Sequence, residues 1–122
     1  MITSNVAFYP VADLKATVDF YKDIIGLKIV FSSETQVIFC ANKGHFGFVE
    51  YEDKKAAEGR LCLSLNCGSN EEVDEEYKRV CALGATPLAA PAMHPKFPIY
   101  SFFIKDPNGY FAEFQKLQGY DL

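Results

Sequence analysis

Apolar and polar positions recur along this chain in two passages of the same order. In the first, Asn5–Val11 is an apolar run and Asp13 follows as a helix N-cap. Leu14, Val18, Tyr21 and Ile25 then repeat at helical spacing, and Gly26 supplies the stop. Three strand-like runs come next, Leu27–Ser32, Gln36–Ala41 and His45–Tyr51, separated by the turn residues Ser33, Asn42 and Gly44. A polar stretch, Glu52–Gly59, reads as a linker. The second passage opens with Arg60–Asn66, where Leu61, Leu63 and Leu65 share one strand face and Arg60, Cys62 and Ser64 the other. Ser69 and Glu72 make a capping box, Val73, Tyr77 and Val80 mark the inner side of a helix, and Gly84 ends it. Thr86–Ala89, Pro98–Lys105 and Tyr110–Lys116 read as strands. The last two are joined by the turn Asp106-Pro107-Asn108-Gly109. The two caps lie 56 residues apart and the two stop glycines 58 apart. The chain is therefore expected to be α+β, with two β-α-β-β-β modules spanning residues 1–58 and 59–122.

Composition narrows the class of function. The 122 residues carry 12 basic and 16 acidic side chains, and the pI near 5.1 lacks the basic footprint that nucleic acid demands. Hydrophobic residues make up 49%, which excludes a disordered chain. No run approaches the roughly 20 apolar residues of a membrane span, so no membrane partner is expected. The first residues, Met-Ile-Thr-Ser-Asn, show neither a basic nor an apolar leader region, so a cytoplasmic location is expected. Cys40, Cys62, Cys67 and Cys81 form no C-x-x-C pair and are expected to be reduced and mostly buried.

The order of elements resembles the vicinal oxygen chelate superfamily, which includes glyoxalase I, extradiol dioxygenases, and the bleomycin and fosfomycin resistance proteins. The residues that carry the likeness are Asp13-Leu14, then Asp19-Phe20-Tyr21 and Ile25-Gly26-Leu27, and at the far end Asp106-Pro107-Asn108-Gly109-Tyr110 with Glu113. The likeness covers essentially the full chain. It implies that each module curls into half a barrel, that the modules form a cleft, and that a second copy often completes it. It also implies a divalent metal, held by His, Gln or Glu side chains, that chelates two adjacent substrate oxygens.

Carried over residue by residue, the metal-ligand positions fall on Val6, on or near Gly47, on Arg60, and on Glu113. At the second position a shift in register would bring Phe46, Phe48, His45 or Val49 instead. Val and Gly have no donor side chain, and Arg has no lone pair to give. The resemblance thus implies the fold without the metal, and no cofactor is expected. The residues expected to line a ligand site are Val6, Phe8, Gly47, Arg60, Cys62, Phe111 and Glu113, with no catalytic residue assigned. Arg60 is either a surface arginine or a guanidinium that meets Glu113 in the cleft. Glu113 is either exposed at a strand end or faces the cleft with Phe111 and Gln115.

Other residues invite plainer readings. His45 and His94 are expected to be structural, since no Ser-His-Asp or Cys-His spacing accompanies them. The segment Ala89–Pro98 is a proline-rich connector or, as the resemblance suggests, a loop that closes over a ligand. The acidic run on the second helix (Glu71, Glu72, Asp74, Glu75 and Glu76) reads as a solvated face suited to a helix N-terminus. Three functions compete. The first is a dimeric small-molecule-binding protein of the drug-sequestering kind, and the second a metal-dependent lyase or dioxygenase. The third is a structural dimer without ligand.

Overall fold

The computed structural model describes residues 1–122, and they divide into two compact units, Met1–Gly59 and Arg60–Leu122. The first unit contains β1 (Ala7–Pro10), the helix α1 (Leu14–Asp19), β2 (Lys28–Ser32), β3 (Gln36–Ala41) and β4 (Gly44–Val49). Its sheet has the order β1-β4-β3-β2, with β1 parallel to β4 and the other pairs antiparallel. The second unit contains β5 (Cys62–Asn66), α2 (Asn70–Ala82), β6 (Ala92–Met93), β7 (Ile99–Lys105) and β8 (Phe111–Leu117). Its order, β5-β8-β7-β6, repeats the first, with β5 parallel to β8. Each unit is thus a mixed four-stranded sheet with a helix packed on one face. No helix is long and apolar enough to cross a membrane.

Local chemistry explains the helix starts. The Asp13 carboxylate accepts the Ala16 amide at 3.1 Å, and the Ser69 hydroxyl accepts that of Glu72 at 3.1 Å. The first helix continues as a wider π-helical turn over Phe20–Ile25, a change of winding that the apolar spacing does not reveal. Gly26, at φ 90°, ends it: the amides of Gly26 and Leu27 both reach the Tyr21 carbonyl, at 3.1 and 2.9 Å. The turn Asp106–Gly109 is fixed by buried Asp106, whose Oδ1 accepts from the amides of Asn108 and Tyr110.

Each unit has its own core on the helix side of its sheet. In the first, Tyr21 stacks on Phe48 at 4.7 Å, and Val11, Val37 and Phe39 complete a fully buried cluster. In the second, Phe102 stacks on Phe114 at 5.1 Å and meets Tyr77 edge to face, while Leu63, Val73, Val80 and Ala112 fill the remainder. Alternation along each strand leaves a second, helix-free face.

Three expectations need correction. Thr86–Ala89 is irregular: Pro87 has no amide hydrogen, and the segment reaches its sheet through a single bond, Leu88 N–H to the Phe103 carbonyl at 2.9 Å. The edge strand lies instead at Ala92–Met93, inside the proline-rich loop. The strand predicted from Arg60 begins two residues later, at Cys62, because Gly59 turns the chain at φ 97° just before it. The cysteines are unpaired, but none is fully buried, and Cys62 and Cys81 are exposed.

Candidate functional site

The seven residues expected to line a site fall in two groups, one on each unit. In the first unit, Phe8 on β1 lies directly opposite Gly47 on β4. The close approach needs a glycine: a Cβ at position 47 would stand 2.5 Å from Cδ1 of the Phe8 ring and 2.6 Å from Cε1. Val6 is half-buried just before the strand. Phe8 is 42% exposed, and Phe31 from β2, opposite Ile38, is 47% exposed on the same helix-free face. This face is apolar and aromatic.

The second unit differs. The register sets Cys62 against Phe111, Ser64 against Glu113 and Asn66 against Gln115. It continues onto β7, where Lys105, Phe103 and Ser101 face the same three β8 residues. Glu113 is buried, at 7% exposure, and its Oε1 accepts a 2.6 Å hydrogen bond from the Ser64 hydroxyl. The Cys62 thiol approaches the same oxygen at 3.8 Å and Ser64 Oγ at 3.6 Å. Burial pushes the Cys62 thiol above its ordinary range, with the Glu113 charge adding to the effect, so the sulfur stays protonated and donates. Beside this group the Phe103 and Phe111 rings meet edge to face at 6.1 Å, and the Lys105 ammonium lies over the Phe111 ring at 5.7 Å.

The structure does not bring Arg60 to Glu113. Arg60 is exposed, and the four ion pairs of the chain join other residues. The register explains the separation. Ser64 is the residue opposite Glu113, and Arg60 lies four residues up the chain, before β5 begins at Cys62. Ser64 occupies the place that sequence reasoning gave to the arginine. Strand parity put Ser64 on the correct face, and only the pairing register puts it opposite Glu113.

A chelated divalent ion does not fit the residues present. Val6 and Gly47 offer no donor, the Phe8 ring covers Gly47, and Arg60 is a cation. Glu113 has one oxygen already engaged by Ser64. Within either unit no group of three or more His, Cys, Asp or Glu side chains comes together to hold a metal. His45 is half-buried on β4 opposite Cys40. His94 has a structural part: its Nδ1 accepts from the amides of Lys96 and Phe97, at 3.0 and 3.1 Å, and its ring packs on Phe97.

A concavity of about 400 Å³ lies in the first unit between α1 and β2. Leu14, Val18 and Ile29 line it together with Asp13, Glu34 and Glu50. The Glu50 carboxylate there is engaged by the Leu14 amide at 3.0 Å.

Comparison with known proteins agrees with the architecture. The family model described as Glyoxalase/Bleomycin resistance protein/Dioxygenase superfamily matches residues 3–114. No curated protein matches the chain. Among solved structures, the chain is similar to a glyoxalase/bleomycin resistance protein/dioxygenase from Nocardioides, with 20% identity and a TM-score of 0.79 over 99% of this chain and 87% of that one. Lactoylglutathione lyase from Agrobacterium tumefaciens is 23% identical at a TM-score of 0.79, over 98% of this chain and 97% of its own. A glyoxalase-related enzyme from Fulvimarina pelagi is 22% identical at 0.71, over 95% and 88%. Likeness at these identities establishes the fold.

Proposed function

Because the chain belongs to the glyoxalase/bleomycin resistance protein/dioxygenase superfamily, we propose that it uses this fold to bind a small molecule without a metal ion, as a homodimer. The observation that carries the reading is the Phe8 ring over Gly47. At one expected ligand position there is no side chain, and an aromatic ring occupies the space a donor would need. A glyoxalase-type reaction needs a Lewis acid to hold two substrate oxygens and stabilise an enolate. A single carboxylate held by a serine is a poor replacement for that donor set. What the two helix-free faces offer is suited to binding: exposed Phe8 and Phe31 on one unit, and a fixed carboxylate with amides and rings on the other. Dimerisation draws support from open sheets that end in edge strands and from exposed Val30 and Phe31 on the edge strand β2.

A lyase is the second reading, favoured by the structural likeness to a lactoylglutathione lyase. One set of measurements separates the two. Purified protein is dialysed, its metal content is determined, and the methylglyoxal–glutathione adduct is offered with and without added Ni²⁺ or Zn²⁺. Metal-free protein with no isomerisation under either condition, together with ligand-induced thermal shifts in a small-molecule screen, is the expected result. Stoichiometric metal after dialysis, or turnover that depends on it, would establish the lyase. Sedimentation at micromolar concentration showing only a 13.7 kDa species would remove the dimer.

A further inference from the structure

We propose that Glu113, on the helix-free face of the second unit's sheet, anchors an organic cation: an amine, amidine or guanidine carried on a flat apolar group. The proposal rests on the binding function argued above and adds the charge and shape of the ligand.

The carboxylate is oriented and left half-used. Ser64 and Cys62 both approach Oε1, so two donors fix the group from one side. Oε2 accepts no hydrogen bond, yet it is not sealed from solvent, since no buried side-chain oxygen of the chain is left without a partner. An accessible acceptor on a nine-tenths-buried carboxylate is suited to a donor that comes from outside the chain. A cationic N–H donor would form the charge-assisted bond that the protein itself does not supply. The unit's own ion pairs, Arg79–Glu76 and Lys116–Asp121, involve other carboxylates. Arg60 makes no ion pair with Glu113.

The neighbours specify the remainder of the ligand. Phe103 is directly opposite Glu113 on β7, and Phe111 precedes it by two residues on the same face. The two rings meet edge to face at 6.1 Å and supply apolar area for a flat group beside the carboxylate. The Lys105 ammonium already lies over the Phe111 ring at 5.7 Å, so the flat part of the ligand is assigned to Phe103. An inorganic cation fits less well, because the hard cations of biology require several oxygens and here one free oxygen is offered. An anion would meet the carboxylate at close range.

The test uses benzamidinium as the probe, with benzamide and benzoate as flat controls of nearly the same shape, neutral and anionic. Backbone amide shifts of ¹⁵N-labelled full-length protein are followed during titration. Benzamidinium is expected to move the amides of Ser64, Phe111 and Glu113 and to bind at least tenfold more tightly than either control. Glu113→Gln should abolish that preference, and Glu113→Ala should do the same. The comparison of the three probes on the wild type needs no variant, so it decides the question even if Glu113→Gln fails to fold. Equal binding of benzamide and benzamidinium at this face, or a preference that survives Glu113→Gln or Glu113→Ala, overturns the cation assignment and leaves small-molecule binding standing. Absence of binding by all three probes, with no hit in the thermal screen, overturns both.

Discussion

Adding one methyl group at Gly47 should have opposite effects on stability depending on the residue at position 8. A Cβ there would lie 2.5 Å from the Phe8 ring, about 1 Å inside ordinary carbon–carbon contact. The backbone of paired strands cannot retreat by that much, so the ring must swing off the sheet. Phe8 is 42% exposed, which bounds the loss: something over half of a phenylalanine's burial is at stake, about 1–2 kcal/mol. Against this, alanine in a strand is favoured over glycine by about 0.5–1 kcal/mol, mostly through the unfolded chain. The net for Gly47→Ala is a destabilisation of about 0.5–1 kcal/mol. In a Phe8→Ala background the obstacle is gone and only the favourable contribution remains. Gly47→Ala should then stabilise by about 0.5–1 kcal/mol. Urea unfolding of the four proteins, with equal m-values required, measures the cycle. If Gly47→Ala has the same sign and size in both backgrounds, the ring does not hold the position, and the principal support for metal-free binding goes with it.

Other expected outcomes follow from contacts already described. Asp13→Ala and Ser69→Ala should each destabilise by about 1 kcal/mol through loss of the cap, read as a lower urea midpoint at unchanged m. Ser64→Ala should cost about 1–2 kcal/mol by removing the hydroxyl from the buried Glu113 carboxylate, whereas Arg60→Ala should stay within about 0.5 kcal/mol of wild type. The Cys67 thiol is pushed up to about 11, by burial first and then by Glu76 and Glu72. At pH 8 only about 0.1% of it is thiolate, so iodoacetamide should modify it very slowly, a result read by peptide mapping. Its folded-state value lies above the unfolded one, so the stabilising contribution is intact below about pH 8.5. That contribution should be lost as pH rises toward 11, and a stability that climbed across that window would contradict the assignment.

The local signals were legible in the chain to the residue. Asp13 and Ser69 announce their helices because a side-chain oxygen three residues before an amide is a short-range fact. Gly26 and the turn at Asp106 are equally local. Strand parity along Cys62–Asn66 also put Leu63 and Leu65 on the core side and Cys62 and Ser64 on the other. What the sequence withheld is pairing. That Ser64, not Arg60, stands opposite Glu113 depends on a parallel register between strands 49 residues apart. That the Phe8 ring covers Gly47 depends on a similar pairing in the first unit. The misplaced edge strand has a different origin: Pro87 offers no amide hydrogen, while Ala92 and Met93 lie among prolines yet have free amides that β7 can engage.

The parallel pairing of first and last strands in each unit bears on how the chain tolerates change. Joining β1 to β4 brings together residues 39 apart, as Phe8 and Gly47 show, and joining β5 to β8 brings together residues 49 apart. Loop-closure entropy grows only logarithmically, so the longer excursion costs about 0.2 kcal/mol more than the shorter. The second unit therefore carries a helix of 13 residues and a long loop ahead of β7 at almost no entropic disadvantage. Length in that loop is close to free thermodynamically, whereas the parallel pairing of β5 with β8 is fixed. The stretch ahead of β7 can be lengthened, shortened or rewritten while the β5–β8 pair that holds the Glu113 carboxylate keeps its register.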